Sequence, residues 1–198
     1  NPEEPKARLG ALRKAIETNA DMVLWTDPDS DRPAVAVKKV PSKKAENLED
    51  YDSFNGNQQL AILMDYLVEE LKSMAREESL ADDETRTHLA RRAALLVANF
   101  GKVFAAASLV SADLMKIIAR NAGIQVTETL VGFKYIGDEI EKRSKVIQQL
   151  AGITEVDWQN LTNLQKVELG LQYSEVFLFG GEESLGALSS DGPHDKDA

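Results

Sequence analysis

The chain has 198 residues, 43% of them hydrophobic, which suits one large or two small folded domains and excludes disorder throughout. With 33 acidic residues against 23 basic ones, the net charge is −10, which argues against general nucleic-acid binding or attachment to anionic membranes. There is no cysteine, so disulfides, zinc–thiolate sites and a thiol nucleophile are excluded, and a reducing compartment, the cytoplasm, is the expected setting.

Pro5 to Glu17 reads as a helix, with Leu9, Leu12 and Ile16 on one face and Pro5 in its first turn. Met22 to Trp25 is a short strand-like run that leads into Asp27-Pro28-Asp29-Ser30-Asp31-Arg32, a loop because Pro28 and Pro33 donate nothing to a ladder. Ala34 to Val37 resumes a strand, and Lys38 to Ser53 reads as a polar linker or excursion. After Gly56, residues Leu60, Leu63, Met64, Leu67, Leu71 and Met74 repeat at helical spacing. Glu77 to Glu84 is an acidic surface stretch, and Leu89, Ala93, Leu96 and Val97 mark a further helix.

Lys102 to Val110 reads as a buried strand. Ser111 is positioned to cap the next helix, whose Leu114, Ile117 and Ile118 are expected to face inward and which Gly123 ends. Ile124 to Thr127 is strand-like, Phe133, Ile136 and Ile140 lie on a helix, and Val156 to Gln172 reads as a helical insertion. Val176 to Phe179 is a strand running into Gly180-Gly181. Strands alternating with helices predict an α/β fold with a largely parallel sheet, whose ligands sit beyond the strand C-termini. Asn1–Lys6 is polar and acidic, unlike a signal peptide. The longest apolar runs, Ala93–Ala98 and Val103–Val110, are too short to span a bilayer. The sequence starts at Asn1 and stops at Ala198 with both ends reading as cut, so a piece of a longer polypeptide is expected.

Three loops carry groups with chemistry to offer. Asp27, Asp29 and Asp31 place carboxylates at alternate positions, an oxygen-only set suited to Mg²⁺ or Ca²⁺. An EF-hand starting at Asp27 fails, because Arg32 and Lys38 stand where Gly and Glu are needed. The plain alternative is an acidic turn whose carboxylates cap backbone groups. Gly180-Gly181-Glu182-Glu183-Ser184-Leu185-Gly186 offers a carboxylate and a hydroxyl to sugar hydroxyls, with glycines that let a ligand approach; an ordinary strand-to-turn connection is its alternative. Lys134 lies at a helix N-terminus, which suits phosphate, or is an ordinary surface lysine. Phosphate-loop, dinucleotide-loop and nucleophile-elbow patterns are all missing from the sequence.

Taken in order, these stretches resemble the phosphohexomutase family of phosphoglucomutases and phosphomannomutases. Thr26-Asp27-Pro28-Asp29-Ser30-Asp31-Arg32 is similar to its metal loop, and Asn55-Gly56-Asn57-Gln58 to the opening of its third domain. Val110-Ser111-Ala112-Asp113-Leu114 and Glu128 through Gly137 follow in family order. Phe179 through Gly186 is similar to the sugar-recognition loop, and Asp195-Lys196-Asp197 also fits. Pro33-Ala34 stands where Leu-Gly is more usual, and His194 replaces a common Arg.

The resemblance implies a three-layer α/β/α fold with a mixed, mainly parallel sheet. It divides the chain into a partial metal-loop domain, residues 1–53, and a sugar-recognition domain, residues 54–198. It implies Mg²⁺ held by Asp27, Asp29 and Asp31, phosphate contacts from Arg32 and Lys134, and sugar contacts from Glu182 and Ser184. Glu183, next along an extended loop, is expected to point away from Glu182. The implied activity of a parent protein is phosphoryl movement between the 1- and 6-positions of a hexose phosphate, through a 1,6-bisphosphate and a phosphoserine from another domain. No catalytic phosphoserine is expected in this chain, which is then inactive alone and needs the remaining domains. A competing reading is a non-catalytic phosphosugar-binding or regulatory remnant. A third, an Asp-nucleophile phosphatase, fails because Asp31 stands where its pattern needs Thr.

Overall fold

Proline has no N–H to lose in a first turn, and helix α1 (Pro5–Thr18) begins there in the computed structural model, which describes residues 2–30, 32–76, 84–184 and 186–189, with 84–86 by backbone only. Asn19 ends α1 in the left-handed region at φ 50°. Its side-chain oxygen accepts from the Ala45 amide at 3.0 Å.

Strands β1 (Met22–Thr26), β2 (Pro33–Lys38) and β3 (Tyr51–Phe54) form one sheet, antiparallel throughout. The expected parallel arrangement does not extend to this part of the chain. The 27–32 connection is too short for a parallel crossover, so β1 and β2 can only pair as a hairpin. Leu12 and Ala15 of α1 pack on this sheet with Ala36, Ala45 and Tyr51.

The expected linker at 38–53 is also corrected, since β2 continues into it and it holds a 3₁₀ turn (Leu48–Asp50) and β3. Its polar residues are tied down. The Lys38 ammonium is buried against Asp21 at 2.7 Å, and the Tyr51 hydroxyl donates to the Ala20 carbonyl at 2.7 Å.

The second sheet has the order β5-β4-β6-β7, built from β4 (Val103–Ser108), β5 (Gln125–Thr129), β6 (Val176–Glu182) and β7 (Gly186–Leu188). Strand β4 runs parallel to both neighbours, and β7 closes the edge antiparallel to β6. Both β4 and β6 are buried along their whole length, as expected of strands covered on two faces. Side-chain alternation divides β4 between two cores. Val103, Ala105 and Ala107 meet Leu60, Met64 and Leu96 from α2 (Gly56–Arg76) and α3 (Glu84–Ala98), with Met115 and Ala119 of α4 (Asp113–Asn121). Phe104 and Ala106 meet Ile136 and Ile140 of α5 (Phe133–Ala151) on the other side. The expected three-layer α/β/α fold with a mixed, mainly parallel sheet is thus present.

The helical insertion is two helices, α6 (Glu155–Asn160) and α7 (Asn163–Tyr173). Thr154 with Asp157, and Thr162 with Gln165, form capping boxes that start each one. The inward face of α4 differs from the expected one. Leu114 and Ile117 are exposed, while Met115, Lys116 and Ala119 are buried. The Lys116 stem lies inside and its ammonium reaches Glu128 at 2.8 Å. Leu63 and Leu89 are likewise exposed. Residues 77–83 of the acidic stretch, Asp31, Leu185 and the closing Asp195-Lys196-Asp197 lie outside the described residues. Among those described, no helix is long and apolar enough to cross a membrane.

Candidate functional site

The 27–32 hairpin folds around Asp27. Its Oδ2 accepts from the Arg32 Nε at 2.5 Å and its Oδ1 from the Arg32 amide at 3.2 Å. The Asp27 side chain is 1% exposed and that of Arg32 33%, so the pair sits at the mouth of the loop with the carboxylate inside. Asp29 is exposed. Asp31, the third carboxylate of the set, is outside the described residues, and among those described no three acidic or histidine side chains form a metal cage. The donor chemistry of Asp27 and Asp29, carboxylate oxygens alone, is of the kind that suits a hard cation.

The second cluster lies at the C-terminal ends of β4, β5 and β6, where open α/β sheets place their ligands. Glu182 is the last residue of β6 and is 5% exposed. Its Oε1 accepts from the Gly132 amide in the β5–α5 loop. Gly132 has φ 123°, a backbone that side-chain-bearing residues rarely adopt. This contact draws the β6–β7 hairpin toward the start of α5, where Lys134 is exposed in the first turn. Ser184, at the hairpin tip, is also exposed. The structure therefore brings Glu182 and the loop carrying Lys134 together, and separately pairs Asp27 with Arg32 on the other sheet.

The hairpin glycines have a different role from the expected one. A Cβ on Gly181 would lie 2.2 Å from the Leu60 Cδ2 and 2.9 Å from the Gly186 carbonyl oxygen. One on Gly186 would lie 2.3 Å from the Phe133 ring. Both positions are glycine because helices α2 and α5 press against the hairpin.

Glu183, the first residue past β6, has partners of its own. Its Oε2 accepts from the Ser108 and Ser111 hydroxyls, each at 3.1 Å, and the two hydroxyls are 2.8 Å apart. Ser111 therefore does not cap α4. The capping position is Ala112, whose amide donates to the Asn57 Oδ1 at 2.8 Å. Sequence reasoning passed over Ser108, Asn57 and the engaged role of Glu183. The available signal was a serine at each end of the β4–α4 turn facing a carboxylate on the neighbouring strand.

Residues 55–152 match the family described as phosphoglucomutase/phosphomannomutase, alpha/beta/alpha domain III. The whole chain aligns at 28% identity with phosphoglucomutases of Staphylococcus aureus strains USA300, NCTC 8325 and N315. All 198 residues take part, and they cover 25% of each relative, so the chain spans about a quarter of the length of the curated relatives it matches. The matched segment holds α2 through α5, the Gly132 loop and the Ser108–Ser111 turn just described. Residues 55–152 are therefore similar to domain III of the phosphoglucomutase/phosphomannomutase family, consistent with a fragment of a phosphohexomutase.

Proposed function

We propose that this chain is part of a phosphohexomutase, with residues 1–53 belonging to a metal-loop domain and residues 54–198 forming the sugar-recognition domain. The observation that carries the reading is the buried Glu182 carboxylate, fixed by the Gly132 amide at the strand ends beside the loop that presents Lys134. One oxygen is held by the protein, which leaves the other to accept from a sugar hydroxyl. A carboxylate set in place before the ligand arrives costs little to organise on binding. Ser184 adds a second hydrogen-bonding group at the hairpin tip. The Lys134 ammonium and the N-terminus of α5 suit a phosphate together. The substrates are hexose 1- and 6-phosphates and the 1,6-bisphosphate, and the proposed setting is the cytoplasm.

In the reaction proposed for the complete protein, the bond between phosphorus and a serine oxygen on another domain breaks as a bond to a sugar hydroxyl oxygen forms. After the bisphosphate turns round, the serine recovers a phosphoryl group from the other position. Asp27, Asp29 and Asp31 would be the residues to hold Mg²⁺, which would supply neutralisation of the phosphoryl charge. Asp27 holds Arg32 in place at the loop mouth, where its guanidinium suits phosphate oxygens. Glu182 and Ser184 grip hydroxyls common to both orientations.

Calorimetric titration of the chain with glucose 1-phosphate, beside unphosphorylated glucose, tests the binding part. Weaker binding in both Glu182→Gln and Lys134→Ala is expected, and a titration unchanged by either overturns the site. The complete protein is expected to interconvert hexose 1- and 6-phosphates. Binding without turnover there favours a non-catalytic remnant.

A further inference from the structure

We infer that Glu183, through Ser108 and Ser111, is the positioning residue that fixes the sugar-loop hairpin against the β4–α4 turn. The inference rests on the proposed function only for what the hairpin binds. Glu183 is half-buried, and its Oε2 accepts two hydroxyl bonds from residues 75 and 72 positions away in sequence. Ser108 and Ser111 are both buried, so these hydroxyls have little water to turn to. Each bond to an ionised acceptor is stronger than a neutral one.

The geometry gives the pair Glu182 and Glu183 a joint effect. Glu182 ends β6 and Glu183 opens the turn after it, and each carboxylate is anchored to a different loop. Glu182 is tied to the β5–α5 loop through Gly132, and Glu183 to the β4–α4 turn through the two serines. The end of β6 is thus tied to the loops that follow its neighbour β4 and the next strand, β5. Asn57 extends the second anchor by holding the Ala112 amide from the start of α2. Glu183 thus uses one carboxylate oxygen for both serines. Its contribution is to hold Glu182 and Ser184 at a fixed height above the sheet. A loosened hairpin then weakens ground-state and transition-state binding alike, which raises KM and leaves kcat nearly unchanged.

The test uses the complete protein with Glu183→Ala, Glu183→Gln and the double variant Ser108→Ala/Ser111→Ala. Glu183→Ala is expected to raise KM for a hexose phosphate roughly ten-fold, with kcat within about three-fold of wild type. Glu183→Gln keeps an acceptor oxygen and is expected to recover most of the loss. Amide hydrogen exchange is expected to quicken in 109–112 and 186–188 for Glu183→Ala and for the double serine variant, and not in β1–β3. The serine variant removes the donors rather than the acceptor, so it carries the test if Glu183→Ala fails to fold. Exchange equal to wild type in both variants overturns the positioning role. If wild type shows no turnover of hexose phosphates, the mutase reading falls, and the exchange pattern alone decides the anchoring.

Discussion

The two hairpins that carry the candidate groups are built in opposite ways. In the β1–β2 hairpin the buried carboxylate of Asp27 is satisfied by Arg32, five residues along. In the β6–β7 hairpin the carboxylates of Glu182 and Glu183 take partners 50, 72 and 75 residues away. The first loop carries an electrostatic partner for its carboxylate within its own span. The second has its shape only when α2, β4, β5 and α5 are already packed. A self-contained loop suits a group that must meet a ligand from elsewhere. A cross-linked one suits a group whose position relative to the sheet has to be set.

The comparison breaks most readily at Gly181. An added Cβ there meets a buried Leu60 and a backbone carbonyl, neither of which can withdraw freely. Gly181→Ala is expected to cost about 2–3 kcal/mol by urea unfolding, the upper part of the overpacking range. Asp29→Ala, on the exposed tip of the self-contained hairpin, is expected to stay within about 0.5 kcal/mol of wild type. Equal costs would remove the distinction between the two loops.

Activity sharpens it next. In the complete protein, Glu182→Gln is expected to cost about 1.5–3 kcal/mol of transition-state binding, roughly a ten- to hundred-fold fall in kcat/KM. The glutamine carbonyl can still accept from the Gly132 amide, so the hairpin is expected to keep its place while the charge-assisted grip on the sugar hydroxyl is lost. Assays with 1-phosphate and 6-phosphate in parallel check this. A loss confined to one direction would limit the contact to one sugar orientation.

How far the sequence could be read follows the same division. The buried strands β4 and β6 were legible because parallel central strands read as continuous apolar runs. The loops were legible as ordered motifs of a known family. Three things were not. The β1–β3 sheet looked like strand plus linker, because Lys38 and Tyr51 make their contacts through polar ends that hydropathy does not register. The face of α4 was misread because a short helix with Leu114, Met115, Ile117 and Ile118 has apolar residues on two sides, and Lys116 buries its stem. The engagement of Glu183 with Ser108 and Ser111 depends on strand order, which periodicity cannot supply.

A smaller effect is expected at the self-contained loop. Arg32→Ala removes the guanidinium bond to Asp27 and leaves the nearly buried carboxylate with less compensation. The cost is expected to be about 1.5 kcal/mol, the low end for a bond to a charged group, since solvent screens the part-exposed arginine. Hydrogen exchange is expected to quicken in β1 and β2 only. Quickening at 186–188 as well would show that the hairpins are coupled.

The smallest effect concerns an ion-pair cluster apart from both hairpins. Arg143 of α5 donates to Glu139 at 2.5 Å, to Glu175 at 2.8 Å and to Thr127 at 3.0 Å, with its guanidinium over the Phe104 ring. The hydrogen bond from Arg143 holds the Glu139 carboxyl below its ordinary value of 4.5, helped by the charges of Arg143 and Lys142 and opposed by partial burial. A depressed carboxyl stabilises the fold above the unfolded value, and that stability is lost as pH falls through the lower folded value. The Tm difference between wild type and Glu139→Gln is therefore expected to be full near about pH 6 and to shrink steadily below about pH 4.5. Melting both proteins from about pH 6 to about pH 3 checks this. A difference that stays constant over that range would mean that Glu139 contributes packing and helix propensity rather than charge, and that Arg143 is held by Glu175, Thr127 and the Glu139 carbonyl.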